Sequence, residues 1–302
     1  MKMSDYHIPV LLKQSIEALQ VRPNGIYVDA TFGAGGHSKP IVDLLDAKGH
    51  LYAFDQDPDA LVNRFDEHKF TLIHANFRHI RRFMRLYGHE HIDGLLMDLG
   101  LSSYMIDTPE RGHSFRFDKP IDLRMNQQQE FSAHHLLHSY SEDKLQKLLS
   151  EYGEVRNSKT LAKAIIQWRH SKALEKTFDL NRLLDTTAMG PKAKYYAQVY
   201  QALRIEVNDE MGALAQLLMD GTQLLKPGGR LVAISYHSLE DRMVKNVLKT
   251  GNAEGEMVKD EYGNITRPFT MVTKKVILPE DEEQATNSRS RSARMRVGEK
   301  LA

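Results

Sequence analysis

Four residues that close apolar runs carry the chemistry open to this chain: Asp29, Asp55, Asn76 and Asp98. Just after the first come the small residues Gly33, Ala34, Gly35 and Gly36, and then His37. Glycines let a backbone approach a ligand with no side chain between, and the N–H groups of such a loop, with the helix start behind it, favour an anionic group. An acid ending the next strand, about 20 residues past the loop, can hold both hydroxyls of a ribose. Asp55 stands in that place. The expected ligand therefore carries a ribose and an anionic group, and two cofactor classes fit. A dinucleotide fingerprint wants G-x-G-x-x-G or A; here Gly33 and Gly35 are followed by Ser38, so the pattern is nearly met. Asp29 would repel a pyrophosphate, whereas the ammonium of S-adenosylmethionine needs an acidic partner.

The elements that hold these residues follow from hydrophobic periodicity. Residues 26–32, 51–54, 70–73, 92–97 and 230–235 read as strands. Helices are expected over the N-terminal segment with Leu11, Leu12, Ile16 and Leu19, around Ile41, Leu44 and Leu45, from Pro58, and over RHIRRFMRLYG. This alternation implies an α/β fold with a parallel sheet wound on both faces and ligands outside the carboxyl ends of its strands, so the four polar residues share one rim. The last of those helices sets Arg78, Arg81, Arg82 and Arg85 on one side and Ile80, Phe83 and Met84 on the other. Such a basic side suits phosphates.

The alternation stops near Thr108 and resumes near Lys226, with helical patterns at 141–151, 159–170 and 192–225 between them. A helical insertion for substrate recognition is expected. In its last helix, Tyr196, Val199, Tyr200, Leu203 and Val207 form an apolar face beside the polar Gln201, Arg204 and Asn208. After the strand at 230–235 come Tyr236, His237 and Ser238, with His237 at the strand's carboxyl end. Residues 254–278, with the turn Tyr262, Gly263 and Asn264, suggest a β-hairpin. In RSRSARMRV, Ala293, Met295 and Val297 alternate with Arg294 and Arg296 as in a half-buried strand. HHLLH sets His134 and His138 one helical turn apart, but no third ligand or HExxH glutamate accompanies them, so no metal is expected.

Composition narrows the function classes. Lysine plus arginine number 41 against 40 for aspartate plus glutamate, so only local clusters can argue for nucleic acid. The absence of cysteine excludes disulfides, cysteine zinc sites and a thiolate nucleophile. With no run of 18 apolar residues and no basic-then-apolar leader, a soluble cytoplasmic protein is the expectation.

At DATFGAGGHS, FDQDP, DLGLSS, PERGHSFRF, LRM, YGE, QALRIEVNDE, SYHSLEDR and RSRSARMRV, in order and over nearly the whole chain, the sequence resembles the RsmH (MraW) family. The resemblance implies an S-adenosylmethionine-dependent methyltransferase that modifies the exocyclic N4 of a P-site cytidine in 16S ribosomal RNA, with the small ribosomal subunit as partner and a homodimer allowed. It implies a Rossmann-like class I methyltransferase domain at 1–107 and 206–302, interrupted by a helical domain at 108–205. The expected cofactor contacts are Asp29, Gly33, Gly35, Gly36, His37, Asp55, Phe77, Asp98 and Met105. Asp98, with Ser102 or Ser103, is expected to orient the amine, with His237 as a further catalytic candidate; Arg81, Arg82, Arg204, Asn208 and Arg294 are the expected RNA contacts. Two positions depart from the family pattern: SSYMID puts Met105 where glutamine is usual, and His113 replaces the commoner phenylalanine. Cytosine C5 methylation runs through a thiolate adduct that a cysteine-free chain cannot form, whereas transfer to an amine needs none. An NAD-dependent oxidoreductase and a non-catalytic ribosome assembly factor are the rival readings.

Overall fold

Strands buried on both faces are near-continuous runs of Val, Leu, Ile and Phe, which is how LYAF and GLLM read. The computed structural model describes residues 9–172, 174–259, 261–263, 267–273 and 275–302. Its chain divides into two compact units, one running to Gly100 and resuming at Met211–Ala302, the other Leu101–Glu210. The division falls a few residues outside the expected boundaries of 108 and 205, and it places Ser102, Ser103 and Met105 in the second unit.

The first unit begins with α1 (Leu12–Leu19), β1 (Ile26–Asp29), α2 (Ser38–Leu44), β2 (His50–Asp55), β3 (Phe70–His74), α3 (Ile80–Leu86) and β4 (Ile92–Asp98). The second holds α4 (Ser103–Asp107), α5 (Ala133–Ser139), α6 (Glu142–Glu151), α7 (Ser158–Ser171), α8 (Thr177–Thr187) and α9 (Lys192–Asn208). The first then resumes through α10 (Glu210–Leu224), β5 (Leu225–Ser235), α11 (Ser238–Thr250), β6 (Phe269–Met271), α12 (Asp281–Thr286) and β7 (Arg294–Lys300).

Seven strands form one sheet in the order β3-β2-β1-β4-β5-β7-β6. The first five are parallel, and β7 and β6 return antiparallel. This is the Rossmann-like sheet expected from the sequence, with its strand order reversing between β1 and β4, where such folds open a crevice at the carboxyl ends. Successive residues point to opposite faces, so in β2 Tyr52 and Phe54 join one apolar layer while Leu51 and Ala53 join the other. The first layer is completed by Ile80 and Met84 of α3, Leu217 of α10 and Val247 of α11. The second takes Leu19 of α1, Ile41 of α2, and Met295 and Val297 of β7. Helices thus cover both faces and leave the strand ends to carry function.

Three expectations change. The helix expected over 192–225 is two helices, because Asp209 sits in the left-handed region at φ 46° and ends α9. The fifth strand starts at Leu225 and absorbs the glycine turn through a register shift between Ile92 and Gly94 on its neighbour. In the segment 254–278, where a hairpin was expected, β6 pairs with β7 and Ile277 bridges Met295, while Asn264 of the expected turn lies outside the described residues.

The helical unit has a core of its own. In α6, Leu145, Leu148 and Leu149 recur at helical spacing and are buried, while the Ser141 hydroxyl caps the first turn by accepting from the Lys144 N–H. Leu136, Leu161, Leu183 and Leu203 bring α5, α7, α8 and α9 into the same cluster.

Candidate active site

The end of β1 is tied down from within. Asp29 is fully buried; its Oδ1 accepts from the Thr31 N–H at 3.0 Å and its Oδ2 from the Ser38 hydroxyl at 2.6 Å. The Thr31 hydroxyl oxygen in turn accepts from the Asp98 N–H at 2.7 Å, joining the tips of β1 and β4. Burial raises the Asp29 carboxyl above its usual range, with the Ser38 and Thr31 bonds opposing it. Asp29 therefore fastens the two ends of the glycine loop through both of its oxygens.

The loop itself turns through glycine-specific conformations, φ 54° at Gly33 and 78° at Gly35, which side chains with a Cβ rarely adopt. Two of its N–H groups are paired within the protein: Gly33 donates to Asp55 Oδ2 at 2.8 Å and Gly35 to the Phe32 carbonyl at 2.8 Å. The loop is flanked by the acids that end β1, β2 and β4. This separates the two cofactor classes, because a pyrophosphate would face carboxylates here while a cationic group would be attracted.

Asp55 closes β2, accepts a second bond from the Asp57 N–H at 2.8 Å, and is pushed up to about 6 by burial. On the next strand end, Asn76 donates to the Gln56 side chain at 2.8 Å, and Phe77 is partly exposed against the first apolar layer. Gly36 and His37 complete the loop. The His37 ring is 6% exposed, with Nε2 3.0 Å from the Val10 carbonyl and Nδ1 3.8 Å from Asp98 Oδ2.

Asp98 is where these parts meet. Its Oδ1 accepts from the Tyr236 hydroxyl at 2.8 Å, and among the described residues no donor is bonded to its Oδ2. Burial raises its carboxyl to about 6, reinforced by Asp29 and Glu240 and opposed by His37 and Tyr236. Tyr236 is pushed up strongly by burial and by Asp98 itself, so it stays a neutral donor. Sequence reasoning passed over Tyr236; the only signal was its place directly after the β5 run in SYHSLEDR. His237, a catalytic candidate from sequence, caps α11: its Nδ1 takes the Glu240 N–H at 3.4 Å, and the Glu240 carboxylate accepts from the His237 N–H at 3.4 Å.

The sequence profile of the MraW methylase family matches residues 4–301. The chain belongs to the MraW methylase family. It is similar to the ribosomal RNA small subunit methyltransferase H of Cytophaga hutchinsonii, 53% identical over 298 residues that cover 98% of this chain and 99% of that protein. The like-named protein of Christiangramia forsetii is 49% identical over 302 residues, covering both chains fully. Among solved structures, an rRNA methylase from Streptococcus thermophilus aligns over 96% of this chain and 93% of its own, at 15% identity and a TM-score of 0.39.

The positions expected of an MraW methylase to touch RNA differ in how free they are. On α3, Arg82 is exposed and Arg81 partly so, with no acidic partner for either among the described residues. Arg294 is half exposed, its Nη1 3.7 Å from Asp241, while Arg296 forks onto the same carboxylate at 2.7 and 2.9 Å. In the helical unit, Arg204 is already spent in a forked pair with Glu210 at 2.7 and 2.9 Å, both side chains nearly buried. Asn208 is 7% exposed; it accepts from the Met125 N–H and donates to the Leu123 carbonyl, each at 2.8 Å. Asn208 thus pins the 123–125 stretch of loop, while Arg204 is held by the first residue of α10. Ser102 caps α4 by accepting from the Met105 N–H at 3.3 Å, Ser103 is partly exposed, and Met105 is 5% exposed. His113, at 9% exposed, is held down to about 3 by burial and by Arg204 and Arg111, so this imidazole is uncharged and serves where the family pattern has phenylalanine.

Proposed function

We propose that the protein transfers a methyl group from S-adenosylmethionine to the exocyclic N4 of a cytidine in the 16S RNA of the small ribosomal subunit, the P-site cytidine being the target that the family pattern favours. The observation that carries this reading is the Oδ2 of Asp98, to which no donor is hydrogen-bonded among the described residues, with the His37 ring of the glycine loop 3.8 Å away. The residues present fit the cofactor. A Cβ at Gly33 would stand in open space, the strand ends supply carboxylates for a cation, and Asp55 stands where ribose hydroxyls are held.

The bound cofactor supplies the electrophilic methyl of a sulfonium. Cytosine's N4 lone pair is delocalised into the ring, so the amine is a poor nucleophile that needs orientation more than early loss of a proton. Asp98 Oδ2 accepts a hydrogen bond from the amino group and aims its lone pair at the methyl, while the Tyr236 hydroxyl holds the carboxylate in place through Oδ1. The proton leaves after transfer, when the nitrogen has become acidic, and Asp98 with a carboxyl near 6 can take it at neutral pH.

Tritiated methyl transfer onto small subunits from cells lacking this activity, followed by nucleoside mass spectrometry, is expected to give N4-methylcytidine at one position. Incorporation at C5, or none, refutes the reading, and binding to subunits without incorporation supports an assembly factor. S-adenosylhomocysteine is expected to bind in equilibrium titration and NAD not to; the reverse supports the oxidoreductase.

A base in folded RNA must be met unpaired or turned out, and the basic side of α3 is suited to hold the flanking backbone. Reversing Arg81 and Arg82 to glutamate is expected to weaken RNA binding by about tenfold or more, to flatten its salt dependence, and to leave cofactor affinity nearly unchanged. Filter binding across a salt series checks this. Equal loss of both affinities means misfolding.

A further inference from the structure

The histidine pair of HHLLH lacked a third ligand in sequence, and the fold supplies one. His134 and His138 lie one turn apart on α5, with ring centroids 4.2 Å apart, and Glu175 reaches them from the residues leading into α8, its Oε2 3.0 Å from His134 Nε2. The three ligand atoms lie within 4.8 Å of one another. We propose that His134, His138 and Glu175 form a binding site for one divalent transition-metal ion, Zn²⁺.

Three observations point beyond chance proximity. His138 Nδ1 donates to the His134 carbonyl at 2.8 Å, which fixes the tautomer and leaves Nε2 with its lone pair free, as outer hydrogen bonds do for metal-bound histidine. His134 Nε2 is buried and, despite the nearby carboxylate, makes no hydrogen bond: Glu175 lies off the direction in which that nitrogen would donate. The backbones that carry them are anchored on a single fully buried residue, since Ile121 accepts from the His134 N–H at 3.0 Å and donates to the Glu175 carbonyl at 3.1 Å.

Two imidazoles and a carboxylate are a familiar Zn²⁺ donor set, leaving the fourth position of a tetrahedron open. Ligand atoms around such an ion sit about 3.3 Å apart, as metal bonds of about 2.0–2.1 Å require. The cluster need contract only by side-chain rotation, for Glu175 is exposed and Lys176 beside it lies 3.9 Å from Asp118. The ion fastens α5 to the approach of α8 and so stiffens the helical unit.

Isothermal titration of tag-free full-length protein with Zn²⁺ tests this, since the chain holds 14 histidines and weak background binding is set by comparison with variants. Wild type is expected to bind one equivalent at least tenfold more tightly than Glu175→Gln and His138→Ala, and Zn²⁺ is expected to raise the melting temperature of wild type but not of Glu175→Gln. Co²⁺ is expected to show the visible absorption of a four-coordinate N/O site in wild type alone. Equal affinity in wild type and Glu175→Gln, whose exposed position leaves the fold intact, overturns the proposal, as does no binding by wild type at millimolar Zn²⁺.

Discussion

Asp98→Asn is expected to slow single-turnover methyl transfer by about a hundredfold or more, with S-adenosylhomocysteine affinity changed by less than about tenfold. The amide keeps the shape of the carboxylate and one acceptor oxygen but replaces the other with a donor, which opposes the amino group it must orient. The wild-type rate is expected to rise with pH through about 6 and level above it, because only the ionised carboxylate accepts, and Asp98 is pushed up to about 6 by its burial. The variant should lose that rise. Stability moves the other way. With the folded carboxyl above its ordinary 3.8, the protonated form is favoured by folding, and that contribution is lost as pH rises through 6. Removing the charge is therefore expected to leave the melting temperature at neutral pH unchanged or higher. A slow variant that also melts early would mean a damaged fold, and near-normal turnover would remove Asp98 from the chemistry.

His113→Phe is expected to make the protein markedly more resistant to acid. The imidazole is held down to about 3 in the folded chain against 6.5 when exposed, so between those values the unfolded state binds the extra proton. The stability this neutral histidine contributes is complete above 6.5 and is lost progressively as pH falls towards 3. The slope is roughly 1.4 kcal/mol per pH unit as an upper bound, enough to consume a large share of a domain's stability. Phenylalanine takes no proton. Urea denaturation followed at neutral pH and near pH 5 should show a small difference between the proteins at the first and a clear advantage for the variant at the second. Parallel loss of stability in both would show that His113 is not the group that senses acid.

What could be read from sequence was local. An acid that closes an apolar run before a turn identifies itself, and Asp55 and Asp98 do so. That the strands run parallel also follows from their spacing, because parallel strands need helical crossovers. What could not be read was partnership across distance. Tyr236 matters because β5 lies against β4, which brings its hydroxyl to a residue 138 positions away. Asn208 and Arg204 look like a polar face on a helical wheel, and nothing local reveals that Leu123, Met125 and Glu210 use them up. The glycine loop hid its pairing in the same way, since the bond from Gly33 to Asp55 closes only after β1 and β2 have paired.

The neighbouring pair β4 and β5 lies at the centre of the sheet, yet more than a hundred residues of chain intervene between them. Closing so long a loop from an open coil carries an entropy penalty that grows with the logarithm of its length, and the helices between, rich in contacts near in sequence, fold faster than such a pairing. Pairing β4 with β5 thus waits on the helices between them. A ribosome emitting this chain from its N-terminus must complete the interposed helices before Tyr236 can reach Asp98, so no half-made nascent chain carries a finished site.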